Sequence, residues 1–149
     1  VPTSYDSAWD AATCNFEAEG YRLPTEAEWE WAARGGKNYK YAGSDTIDEV
    51  AWYQDTTNGT GTRDVKSKKA NAYGLYDMSG NVREWCWDFY SNIISIDTPS
   101  SGPSSESSRC IRGGCWGLRD FYAIVGYRYY SSPIFSDEDF GFRVVCNAR

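Results

Sequence analysis

Tyr21-Arg22-Leu23-Pro24-Thr25-Glu26-Ala27-Glu28-Trp29-Glu30-Trp31-Ala32-Ala33-Arg34-Gly35-Gly36 is the run on which the reading of this 149-residue chain turns. Thr25 and Glu28 have the spacing of a capping box, in which the hydroxyl takes an orphan N–H and the carboxylate reaches back to the cap. A short helix is expected from there through Trp29, Trp31 and Ala33 to Arg34, stopped by Gly35-Gly36 because glycine tolerates the left-handed turn at a helix end. Upstream, Ser7 to Glu19 carries Trp9, Ala12 and Phe16 at helical spacing and ends at Gly20, which predicts a second helix.

Downstream the texture changes. Gly35 to Lys69 is rich in Gly, Asn, Thr and Asp without sustained periodicity and reads as long loops. Gly74-Leu75-Tyr76-Asp77-Met78-Ser79-Gly80-Asn81-Val82-Arg83-Glu84-Trp85 alternates turn residues with large side chains, predicting a compact turn that enters a buried strand, Val82 to Asp88. Thr98 to Ser108 is polar and low in complexity and reads as an exposed loop. Strand-like pieces follow at Cys110 to Arg112, Ala123 to Tyr129 and Gly141 to Cys146.

Composition excludes several function classes. The chain has no His, which removes Ser-His-Asp triads and every His-containing zinc site. A net charge of −6 repels phosphate backbones, so nucleic acid is not an expected partner. No apolar run approaches the roughly 20 residues of a membrane span. The five cysteines, Cys14, Cys86, Cys110, Cys115 and Cys146, form no CxxC pair and are too few for a disulfide scaffold. Cys110 and Cys115 can at most form a local bridge; buried thiols are the competing reading, and the redox compartment stays open.

Together with Arg112-Gly113-Gly114 and Gly141-Phe142-Arg143-Val144, the two long motifs closely resemble the formylglycine-generating, sulfatase-modifying-factor domain family, over nearly the whole of residues 1–149. The resemblance implies an α+β, C-type-lectin-like fold: a small twisted antiparallel sheet, two short helices and many loops in a single domain. It also implies that the chain is the C-terminal part of a longer one. Enzymatic members are oxidases acting on cysteine-containing peptides. Their catalytic cysteines lie four residues after the second Gly of the Arg-Gly-Gly signature and five later. Here those positions are Leu118 and Ala123. Leu cannot bind copper or form a mixed disulfide, and Ala cannot resolve one. Cys115 is three residues too early to replace the first thiol.

The segment 117–140, GLRDFYAIVGYRYYSSPIFSDEDF, contains no Asn, Lys, Gln, Met, Trp or His, although Lys, Asn and Trp are frequent elsewhere. Randomising the first two bases of AAC codons produces such a restriction, with Glu138 the single exception. The pattern resembles proteins diversified by retroelements, which use this lectin-like fold to display variable residues. That resemblance implies a non-enzymatic binding protein at a bacterial cell surface or exported, with an unknown ligand, a protein or host-surface molecule. The expected ligand-binding residues are Gly117, Leu118, Arg119, Phe121, Tyr122, Tyr129, Tyr130, Ser131, Ser132, Ile134, Phe135, Ser136 and Asp137. Rigid aromatic area beside adaptable polar groups is the chemistry of a paratope. Tyr127 and Phe142 read instead as core, as do Trp29, Trp85 and Trp116, and Arg112, Arg128 and Arg143 read as scaffold ties between loops. No cofactor is expected beyond a structural calcium, for which Asn81 and Glu84 offer hard oxygen ligands as in related domains. Pro133, between Ser132 and Ile134, lacks the flanking residues of a calcium-dependent sugar site.

Overall fold

The capping box at Thr25 forms as its spacing requires. Thr25 Oγ1 accepts the Glu28 N–H at 3.2 Å, and Glu28 Oε2 accepts the Thr25 N–H at 2.8 Å. Helix α1, Glu26–Arg34, starts there and stops at Gly35 in the left-handed region. The structure, a computed structural model, describes residues 12–92 and 107–147. Two single-turn helices, α2 (Ile47–Val50) and α3 (Gln54–Thr57), interrupt the long loops that follow. Among the described residues there are four strands: β1 (Arg83–Phe89), β2 (Arg109–Arg112), β3 (Tyr129–Ser131) and β4 (Phe140–Gly141).

The sheet order is β3-β2-β1-β4. β1 pairs antiparallel with β2, and β2 antiparallel with β3, placing Cys110 opposite Tyr130. β4 runs parallel to β1, with Arg83 opposite Phe140. The sheet is therefore mixed, where the sequence led to an antiparallel one, and the architecture is otherwise the loop-rich α+β fold expected.

Strand β1 alternates as a half-buried strand should, but its polarity is inverted. Glu84, Cys86 and Asp88 point inward, while Trp85, Trp87 and Phe89 are half-buried on the other side. Burying carboxylates is unfavourable unless each finds donors. Glu84 takes Trp29 Nε1 at 2.6 Å and Arg143 Nε and Nη2 at 2.6 Å each. Asp88 accepts the Glu26 N–H at the start of α1 at 2.6 Å. Glu26 itself binds Arg112 Nη1 at 3.0 Å and both Arg128 Nε and Nη2 at 2.7 Å. Arg112, its side chain fully buried, also bonds Glu30 and the Val125 carbonyl. All three scaffold arginines expected from the sequence do tie elements together.

Three local expectations are corrected. Residues 12–20 form turns, not the end of a helix from Ser7 (7–11 lie outside the described residues): Asn15 Oδ1 accepts the Glu17 N–H at 3.0 Å, an Asx turn that competes with helix. The strand expected over Ala123 to Tyr129 is a 3₁₀ turn, Asp120–Ala123, then an irregular stretch, because Arg128 must turn inward to Glu26. The strand expected over Gly141 to Cys146 shrinks to β4 and a bridge between Val145 and Arg22, because Arg143 between them turns to Glu84. The exposed loop expected at 98–108 falls almost wholly outside the described residues. Cys86, Cys110 and Cys115 are buried free thiols, so the local Cys110–Cys115 bridge does not form.

Two measurements test this core. Arg112→Met leaves Glu26 and Glu30 short of a buried partner and lowers the unfolding free energy by about 3–5 kcal/mol in urea titrations. Lys69→Met, which breaks an exposed pair with Glu49, changes it by less than about 1 kcal/mol. Burial raises the Asp88 carboxyl from its ordinary 3.8 to about 6, against the pull of the Glu26 N–H. The folded protein thus holds this proton more tightly than the unfolded chain, and Asp88 subtracts stability as pH rises from about 4 to 6. Asp88→Asn removes that dependence, so its stability relative to the parent improves by about 2 kcal/mol between pH 4 and pH 7. Glu28, held down to about 2 chiefly by its hydrogen bonds from Arg22, titrates below this window.

Candidate binding surface

Gly114, at φ +70°, sets the geometry of the segment that follows β2. A Cβ there would lie 2.8 Å from the Tyr122 carbonyl carbon and oxygen, so only glycine lets the 113–118 loop press against the 3₁₀ turn. The loop is then tied down by its backbone. Trp116 N–H donates to Asn81 O at 2.9 Å, Gln54 N–H donates to Leu118 O at 2.9 Å, and Thr57 Oγ1 donates to Trp116 O at 2.7 Å. Ser79 Oγ donates to Ala123 O at 2.8 Å, and Val125 N–H to Lys40 O at 3.0 Å. Ala123, Val125 and Arg128 are therefore inward anchors, Ile124 packs against the core beside Ala123, and the aromatic residues around them face outward.

The outward residues form one chain of rings. Phe121 stacks on Tyr122 at 4.0 Å between centroids, Tyr122 meets Tyr127 at 5.1 Å and Tyr129 at 6.5 Å, and Tyr129 meets Tyr130 at 5.7 Å. Tyr90 of the loop after β1 extends the chain at 4.6 Å from Tyr130. Arg83 bridges to a second group. Its guanidinium lies 5.8 Å from the Tyr129 ring and 4.1 Å from the Phe140 ring, and Asp139 holds it through Nη2 at 2.5 and 2.7 Å. Phe140 in turn contacts Phe135 at 5.5 Å and Trp85 at 5.3 Å. Phe121, Tyr129, Tyr130, Ile134 and Phe135 are each between 40% and 61% exposed.

The remaining residues named from sequence surround this belt. Gly117, Leu118 and Tyr122 are half-buried, and Arg119 is exposed beside the 3₁₀ turn. Ser131 ends β3, the edge strand. Ser132 O accepts the Phe135 N–H at 2.9 Å in a turn that projects Ile134, and Asp137 O accepts the Phe140 N–H at 3.2 Å, leaving Ser136 and Asp137 exposed at the tip.

Sequence reasoning missed Arg83, Tyr90, Trp85 and Phe140, which join the belt from outside or at the edge of the segment. Their signal is the sheet register, which a single sequence does not display. Tyr127, expected in the core, is only half-buried and sits within the ring cluster. Phe142, also expected there, is 68% exposed, because Gly141 and Arg143 on either side carry the inward contacts at that strand end.

The positions of the family's catalytic thiols are apolar and fixed. Leu118 lines a small, shallow depression beside Arg83, Arg112, Tyr122, Tyr127 and Tyr129. Ala123 is buried. Cys115 donates its thiol to Asp139 Oδ2 at 3.1 Å, and burial raises it to about 12. Neither copper nor thiol exchange fits these groups. Calcium does not fit the expected pair either. Asn81 Oδ1 accepts the Arg63 N–H at 3.0 Å and its amide donates to Arg63 O, while Glu84 is committed to Trp29 and Arg143. No cluster of three or more His, Cys, Asp or Glu suited to a metal ion occurs among the described residues.

Comparison with known proteins places this surface in context. The structure superposes on Treponema denticola variable protein 1 with a TM-score of 0.90 and 45% identity, over 98% of this chain and 54% of that one. A chaperone protein LppX from Paenibacillus barcinonensis is 43% identical over 70% of this chain and 41% of its own length. A formylglycine-generating enzyme from Streptomyces coelicolor is 34% identical over 95% of this chain and 51% of its own length. The chain thus spans about half or less of the curated relatives it matches. The model of the sulfatase-modifying factor enzyme 1-like domain matches residues 3–148, and the chain belongs to that family.

Proposed function

We propose that this domain is a non-enzymatic ligand-binding module whose target is set by diversified side chains on the aromatic belt. The observation that carries this reading is the belt itself. Positions of the 117–140 segment that hold family thiols in the enzymes are a half-buried Leu118 and a buried Ala123, while Phe121, Tyr129, Tyr130 and Phe135 of the same segment present half-exposed rings. Rigid aromatic area with few rotatable bonds binds protein surfaces at low entropic cost, and exposed Arg119, Ser136 and Asp137 add adaptable polar contacts. The residue restriction of the segment supports retroelement diversification, and the similarity to a variable protein agrees with it. We infer display at a bacterial cell surface or export, with a protein or host-surface molecule as target. No helix among the described residues is long and apolar enough to cross a membrane.

The competing reading, an oxidase acting on cysteine-containing peptides, draws on the relatives named formylglycine-generating enzyme. Incubation of the purified protein with copper and a cysteine-containing peptide separates the two. No peptide aldehyde forms above a protein-free control; aldehyde formation overturns the binding reading. Independently, replacing Phe121, Tyr129, Tyr130, Ile134 and Phe135 together by Ser shifts Tm by no more than about 5 °C, because these positions lie outside the anchors. Arg128→Ser, which strips Glu26 of a partner, destabilises by about 3 kcal/mol. A displayed library randomised at the same five positions and panned against hen lysozyme yields binders; failure of such libraries to bind while folded overturns the reading.

A further inference from the structure

The five cysteines fall into two groups in the fold. Cys86, Cys110 and Cys115 are buried, whereas Cys14 is half-buried and Cys146 exposed. These last two stand on segments far apart in the chain that are stitched to each other. Arg22 N–H donates to the Val145 carbonyl at 3.0 Å and Val145 N–H to the Arg22 carbonyl at 2.9 Å, a two-bond antiparallel bridge. In an antiparallel pairing the chain that precedes Arg22 runs beside the chain that follows Val145. Asn147, the neighbour of Cys146, extends the contact, its Nδ2 donating to the Phe16 and Ala18 carbonyls at 2.7 and 3.2 Å. Arg22 lies at the centre of this cluster. Its guanidinium is 4.9 Å from the centroid of the Phe16 ring, and Nη2 donates to Asn147 Oδ1 at 3.4 Å. The Arg22 proton is held chiefly by the hydrogen bonds to Glu28, and Cys14 and Cys146 both add to that hold, so both thiols belong to the surroundings of one guanidinium.

We propose that Cys14 and Cys146 pair in a disulfide that fastens the segment before α1 to the segment after β4 in an oxidising compartment. Both are free thiols in this structure. Cys14 lies in irregular chain ahead of the turn at Asn15, so its approach to Cys146 displaces no helix or strand. With a small-molecule disulfide such as oxidised glutathione as oxidant, the thiolate of the exposed Cys146 attacks one glutathione sulfur. The glutathione S–S bond breaks, and one glutathione leaves as a thiolate. The Cys14 thiolate then attacks the Cys146 sulfur of the mixed disulfide and expels the second glutathione. Two protein thiols are oxidised, one glutathione disulfide is reduced to two glutathiones, and the two protons lost by the protein end on them. A cross-link between positions so distant in sequence removes more freedom from the unfolded chain than a short-loop bridge does. Such a bridge suits the export inferred above, but it neither needs nor supports the aromatic belt.

Oxidation of the purified protein in a glutathione redox buffer, followed by alkylation of free thiols and tryptic digestion without reductant, tests the pairing. The chain stays monomeric and loses two hydrogens, and mass spectrometry finds peptide 1–22 joined to peptide 144–149. The melting temperature rises by about 5 °C or more, and a phosphine reductant reverses the rise. Cys14→Ser and Cys146→Ser each melt within about 2 °C of the parent under reducing conditions, and each abolishes both the joined peptide and the rise. Peptides 1–22 and 144–149 recovered separately after oxidation overturn the proposal, as does a covalent dimer through Cys146. A joined peptide with an unchanged melting temperature, or a rise that persists in Cys14→Ser, overturns the fastening. None of these results bears on the lysozyme selection, so the bridge and the binding-surface reading can fail separately.

Discussion

A single carboxylate, Glu26, shared by Arg112 and Arg128, joins the start of α1 to the sheet and to the segment that carries the rings. With four short strands and one α-helix of more than a turn among the described residues, the domain has little regular backbone pairing to hold it together. Its loops are fixed by buried side chains that each satisfy several carbonyls or carboxylates, and removing one partner leaves the others charged in a poorly solvated interior. Arg143 with Glu84, and Asp88 with the first turn of α1, repeat the device along β1.

This arrangement separates two tasks along one stretch of chain. Between Leu118 and Asp139, the contacts that hold the backbone come from Ala123, Val125, Arg128 and Asp139, all directed into or along the body of the domain. Tyr129–Ser131 add backbone pairing with β2, while the aromatic side chains between the anchors contribute mainly ring-on-ring contacts at the surface. Exchange of those side chains therefore leaves the charged framework untouched.

How much of this was legible in the sequence follows from how local each signal is. The capping box at Thr25, the stop at Gly35 and strand β1 depend on neighbours a few residues away and emerge as expected. The arginine ties were visible as motif residues, though not their partners. The turn at Asn15 was not foreseen, because Trp9, Ala12 and Phe16 suggest a helix; Phe16 instead packs edge-on to Trp87 and beneath Arg22. The inverted polarity of β1 was hidden, since an alternating Glu84-Cys86-Asp88 face reads as solvent-facing until α1 supplies its donors. The contributions of Arg83, Tyr90 and Phe140 to the belt depend on pairing across the sheet. Phe142 looked like core by residue type, yet its neighbours occupy the interior there.

The three buried thiols carry a consequence for assembly. Burial raises Cys86, Cys110 and Cys115 well above the ordinary thiol range, so they stay protonated, and none is bridged. A protonated, enclosed sulfur is a poor nucleophile and exchanges slowly with oxidants or glutathione. The packing around these three sulfurs thus depends on their volume and apolar character and not on a covalent link between them.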